Sequence, residues 1–253
     1  MRVLRQSVID RELGTGDFRL RGGEVSRIEG FSDAVFAFAM TLLVVSLEVP
    51  RSYAELLETI QGFPAFGVCF ALLLLVWHAH YTFFRRYGLE DLRTIVLNAI
   101  LLFLVVFYVY PLKFMFSYLI DSLLGFGPGM AEDMTRADAR SLLLIYGGGF
   151  VAMFLTLTLL YDHAWRRREP LGLDELERFD TLTSRQHYAL SAAVGVLSIS
   201  IAAIGGEGSP FWAGMSYFLL GPAAGLHGAL RGRKRARIGN PMRPDAEGAA
   251  PSG

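Results

Sequence analysis

The chain has 253 residues, of which 53% are apolar and 19% charged, with a formal net charge of +0. Apolar runs long enough to cross a hydrocarbon core exclude an ordinary soluble reading, although the length alone would suit one or two soluble domains. The single cysteine, Cys69, excludes a disulfide framework within one chain, and the charged N-terminal segment lacks the apolar core of a cleaved secretory signal.

In chain order, the runs predict an all-α polytopic membrane protein with six transmembrane helices. The crossings fall at about 31–49, 63–84, 95–120, 142–161, 188–205 and 210–228. Pro64 is tolerated in the first turn of the second, the fourth is glycine-rich at Gly147, Gly148 and Gly149, and Pro222 interrupts the sixth. The segment LGLDELERFDTLTSRQ after the fourth crossing reads as a short amphipathic helix along the inner membrane surface or against the bundle. Residues 1–24 form a cytoplasmic N-terminal segment and 25–230 the six-helix domain. Residues 231–253 form a basic, Pro/Gly/Ala-rich tail expected to be poorly ordered. There is no internal repeat of the kind that many secondary transporters carry.

Charge placement sets the orientation. With both termini in the cytoplasm, 20 of the 24 basic residues fall on inner segments, and only Arg51, Lys113, Arg136 and Arg140 fall elsewhere. That asymmetry is a positive-inside pattern, and it requires an even number of crossings.

The first crossing carries the most information. On a helical wheel centred on Phe38, Leu42, Val45 and Val49 fall on the same side of the helix, and Thr41 falls at the edge of that group. These make one apolar stripe edged by a hydroxyl. Ser32 and Asp33 fall on the far side, where polar groups need partners from neighbouring helices. Candidate partners stand at the inner ends of the next two crossings: Trp77 and His80, three apart on one face, and Asn98. From position alone, the stripe also suits a lipid-facing or core surface, and Asp33 a helix cap. A Ser32–His80–Asp33 hydrolase arrangement is disfavoured because adjacent Ser32 and Asp33 diverge, and no GxSxG elbow is present. His78 and His80 diverge too far to share a metal with Asp33. No nucleotide-binding fingerprint and no TVGYG-like filter occur, so neither an enzyme nor a cofactor is expected.

The stretch Arg27–Val44, RxxxFSDxVFAxAxTLLV, resembles the signature of the transmembrane protein 175 family of potassium channels. The W-x-x-H pair Trp77/His80 and the dipeptide Leu97–Asn98 are similar to further landmarks of that family. The resemblance implies a homotetramer in the cell membrane, since bacterial members carry a single six-span repeat. It implies potassium as the permeant ion, the lipid bilayer and further copies of the chain as partners, and no nucleic acid. It also implies a central pore lined by the first helix, with Phe38 at the constriction, Leu42 and Val45 on the next turns, and Thr41 at a hydroxyl position linked to potassium preference. Arg27, Ser32 and Asp33 would brace that helix against Trp77, His80 and Asn98. The chain departs from the family at Phe38, where isoleucine or leucine is usual; four phenylalanine rings close a pore or turn their faces to a cation. Besides a leak-type channel with a hydrophobic constriction, the residues leave open a proton-coupled transporter or proton pathway through Asp33 and His80, and a membrane scaffold.

Overall fold

A computed structural model describes residues 18–45, 50–124, 134–206 and 208–239, and among these all regular structure is helical. Val49 of the stripe, the chain ahead of Phe18 and the tail from 240 onward lie outside them. The helices are α1 (Arg27–Val45), α2 (Tyr53–Gln61), α3 (Phe63–Tyr87), α4 (Leu92–Leu124), α5 (Arg136–Arg166), α6 (Glu175–Ile204), α7 (Ser209–Ser216) and α8 (Leu220–Gly239). A single 3-10 turn, Tyr217–Leu219, joins the last two.

Among the described residues five helices, α1 and α3 to α6, are long and apolar enough to cross a membrane. The sixth expected crossing is built differently. Right-handed helical dihedrals continue from α7 through the 3-10 turn into α8, so Ser209–Gly239 forms one rod in three pieces. Pro222 lacks the N–H that would bond Phe218, and the preceding turn tightens accordingly. No one piece is both long and apolar enough by itself.

Local signals explain the helix ends. α1 begins ahead of the apolar run because Ser26 and Glu29 form a reciprocal cap: the Ser26 amide donates to Glu29 Oε2 at 2.9 Å and the Glu29 amide to Ser26 Oγ at 3.2 Å. Thr135 and Asp138 do the same for α5, and Asp174 and Glu177 for α6. Gly88 closes α3 in the left-handed region, φ 56°, where a side chain would be strained.

Two expectations are corrected here. The segment after the fourth crossing is not a separate surface helix but the first half of α6, continuous with the fifth crossing. Its capping box starts a helix, and nothing between Glu175 and Ile204 stops it. The basic stretch from Arg231 continues α8 to Gly239 rather than beginning a poorly ordered tail there. It is held by Arg235, which donates to both Asp180 oxygens at 2.9 and 3.1 Å, and by Arg231 over the Phe179 ring at 4.7 Å.

α1 packs on α3 and α4, α4 also packs on α5, and the α5–α6 contact is the most extensive. Gly149 makes the α4–α5 approach possible: a Cβ there would lie 2.3 Å from the Tyr108 ring. The Tyr108 hydroxyl crosses the same seam to Tyr146 O at 2.6 Å.

Candidate functional site

The periodicity of α1 decides what each side chain meets. Glu29, Ser32, Phe36, Ala39 and Leu43 recur every three or four residues and are buried against α3 and α4. Among the described residues the opposite stripe is left largely uncovered: Phe38 is 57% exposed and Val45 75%. Thr41 lies on the same side, with Leu42 at its half-buried margin.

Behind α1, a buried chain of hydrogen bonds joins three helices. The Ser32 hydroxyl donates to Ile28 O at 2.7 Å, so its oxygen is left to accept, and Asn98 Nδ2 donates to it at 2.9 Å. With the amide nitrogen committed to Ser32, Asn98 Oδ1 faces His80 Nε2 at 2.9 Å. An amide oxygen only accepts, so Nε2 must carry the hydrogen; the chain thereby fixes the His80 tautomer. His80 sits between Phe36 and Phe84, with ring centroids 5.5 and 4.6 Å away.

Asp33 makes a separate link. It is exposed on the subunit, yet its Oδ1 accepts from Trp77 Nε1 at 2.8 Å, and the Trp77 ring stacks on Tyr81 at 5.5 Å. Of the six bracing candidates, Ser32, His80 and Asn98 thus come together, Asp33 and Trp77 pair beside them, and Arg27 is exposed without a bond to either group among the described residues.

The sequence reading missed a strap just ahead of α1. Phe18 is buried with its ring 5.8 Å from Tyr87, and the Gly22 amide donates to Arg85 O at 3.1 Å. Arg21 forks onto Glu177 with Nη1 at 3.0 Å and Nη2 at 2.6 Å, and its Nε donates to Leu171 O at 2.8 Å. The Arg19 amide adds a further bond to Glu177 at 2.8 Å. The base of α1 is tied in this way to the ends of α3 and α6. The available signal was the Asp174–Glu177 capping box, which marks a helix start without naming Arg21 as partner.

Five apolar spans, with a polar seam behind a helix whose apolar stripe is largely uncovered, define an all-α polytopic membrane protein. A family described as "Endosomal/lysosomal potassium channel TMEM175" matches residues 27–108, the segment that holds α1 and its polar partners. A potassium channel from Marivirga tractuosa is 37% identical over 231 residues, 88% of this chain and 94% of that protein. A potassium channel from Chamaesiphon minutus is 32% identical over 56% of this chain and 66% of its own length. A crystal structure of a variant of the potassium channel MtTMEM175, in complex with a nanobody–MBP fusion protein, superposes with a TM-score of 0.78 at 35% identity, covering 87% of this chain and 98% of that one. A crystal structure of a lysosomal potassium-selective channel TMEM175 homolog from Chamaesiphon minutus superposes at 0.54 with 26% identity, over 79% and 95% of the two chains. The chain belongs to the TMEM175 family, and these relatives are channels rather than enzymes.

Proposed function

We propose that four copies of this chain surround a central pore lined by α1, and that the assembly is a potassium-selective leak channel of a bacterial plasma membrane with both termini inside. The largely uncovered stripe of α1, opposite a face locked by Ser32, Asn98 and His80, is the observation that supports this reading most directly. In the assembly Phe38 forms the narrowest ring and Leu42 and Val45 line the turns beyond it. Dehydration at these apolar rings is the barrier to conduction, and their wetting opens the path. The Thr41 hydroxyl donates to Phe38 O at 2.7 Å, so its oxygen is left to accept. An oxygen that only accepts suits a partly dehydrated cation. The 20-to-4 distribution of basic residues supports the orientation.

Potassium flux into liposomes, measured for the parent and for Phe38→Ala, tests the proposal. The parent is expected to pass potassium above empty vesicles, and the variant to pass it several-fold faster because the constriction is wider. If neither exceeds empty vesicles, the channel reading is lost. The proton-relay alternative lacks a link: Asp33 is bonded to Trp77 and His80 to Asn98, and no hydrogen bond joins the two residues among the described ones.

A further inference from the structure

A second polar feature lies away from α1, where the start of α4 meets the end of α5. Asp91, Leu92, Arg93, His163, Arg166 and Arg167 line a cavity of about 450 Å³ there. Asp91 caps α4, taking the Thr94 amide at 3.0 Å and hydroxyl at 2.7 Å on Oδ1. Its other oxygen takes Arg167 Nη2 at 3.1 Å and lies 2.7 Å from His163 Nε2. Both carboxylate oxygens are therefore engaged, and Asp91 presents little free negative charge to the cavity. Asp162 is likewise engaged, by Arg166 at 2.8 Å and Arg185 at 3.0 Å.

The arginines outnumber their counter-charges. Among the residues that line the cavity, Arg93, Arg166 and Arg167 stand against Asp91 alone, an excess of two positive charges before His163 is considered. Arg93 is exposed and has no ion-pair partner among the described residues; Arg166 and Arg167 are 64% and 50% exposed at their side chains. This is a concave cationic site with room for a phosphate group and donors on both helices.

What lies below it separates a lipid from a free anion. On α4, Leu92 at the cavity is 76% exposed, and Ile95 and Val96 continue that exposed face one turn deeper. On α5, Leu159 and Leu155 lie two and three turns below Arg166 on its own face, and both are exposed. A soluble phosphate would use only the arginines. An amphiphile uses the arginines and the apolar furrow together.

We propose that this cavity holds the phosphate of an anionic phospholipid, its acyl chains lying along the Leu92–Val96 and Leu155–Leu159 furrow. The positive-inside orientation places the site at the inner leaflet; the proposal otherwise rests on membrane embedding and not on potassium conduction. Arg93 and Arg167 supply the donors nearest the head group, and Asp91 positions Arg167.

Native mass spectrometry of the detergent-purified protein, with phosphatidylglycerol or phosphatidylcholine added, tests it without any flux measurement. The parent is expected to retain phosphatidylglycerol about tenfold more strongly than phosphatidylcholine. Arg93→Gln combined with Arg167→Gln removes that preference, while Arg233→Gln with Arg237→Gln on α8 leaves it in place. Excess inorganic phosphate does not displace the lipid. Arg93→Gln alone, at a residue with no ion pair to lose, shows the same trend if the double variant fails to fold. Equal retention of the two lipids overturns the proposal, as does loss of preference only in the α8 variant, or displacement by phosphate.

Discussion

Asn98 is the side chain on which α1, α3 and α4 converge, because it bonds Ser32 on one helix and His80 on another from a position that is 3% exposed. Asn98→Ala strands a buried hydroxyl oxygen and a buried imidazole N–H together. Each unsatisfied group costs about 1–3 kcal/mol, so the thermal midpoint of the purified protein should fall by several degrees. An unchanged midpoint would show that the chain of bonds carries no structural weight. Thr41→Val tests the other face: the oxygen is lost at constant shape, so the potassium-to-sodium ratio from reversal potentials should fall while the oligomer stays intact. The stripe and its polar reverse side were legible in the sequence because both follow from the helical period alone. The choice of Trp77 for Asp33 and of Asn98 for Ser32 was not, since it depends on how three helices cross. Arg27, read as a brace from its place in the motif, stands exposed on the subunit for the same reason.

At the scale of elements, helices that overshoot the apolar runs carry what the sequence showed least. α3, α5 and α6 extend past the apolar core at the arginine-rich end, where Tyr87 of α3 bonds Thr181 of α6 and Asp162 of α5 pairs with Arg185 of α6, through side chains that hydropathy scores only as loop. The strap is one result. Glu177 is 2% exposed at its side chain and Arg21 12%, so removing one partner leaves a charge with little access to water. Glu177→Leu should destabilise by about 3 kcal/mol, and Arg21→Met with Glu177→Leu by less than that single change, because the pair's shared desolvation cost disappears with it. Unfolding midpoints of the two variants decide; a double variant worse than the single would refute the account. Asp91 gives the matching pH test. Its burial pushes the carboxyl upward, but bonds from the Thr94 amide and hydroxyl and from His163 outweigh this and hold it at about 2, against an ordinary value of 3.8. A lowered value in the folded state stabilises above pH 3.8, and that stabilisation is lost as pH falls from 3.8 toward 2. The parent's midpoint should drop more steeply through that window than the midpoint of Asp91→Asn.

At the scale of the whole molecule, the fold class was legible because membrane crossings announce themselves by length and composition, and the sixth was the weakest signal because Pro222 and the glycines of α8 dilute it. The assembly is a different matter. In none of the five apolar spans is more than 39% of its most apolar stretch buried within the subunit, and in α1 the figure is 28%. A helix that opens the bundle, is locked on one side and bare on the other needs lipid or further copies of itself to cover Phe38 and Val45. Lipid accepts any apolar surface and gives no reason for Thr41 to stand beside Phe38, or for a buried polar chain to fix how α1 is rotated. A closed ring of α1 helices gives both, since rotation then sets which side chains meet at the axis. The mass in mild detergent, corrected for bound detergent, should accordingly be four times the 28.0 kDa of one chain. Asn98→Ala, by loosening the rotation of α1, should shift part of that mass to smaller species, whereas Phe38→Ala should leave it at four. A parent that runs as a monomer, or a Phe38→Ala variant that falls apart while Asn98→Ala holds, would place the stripe of α1 against lipid and remove the physical basis for the pore.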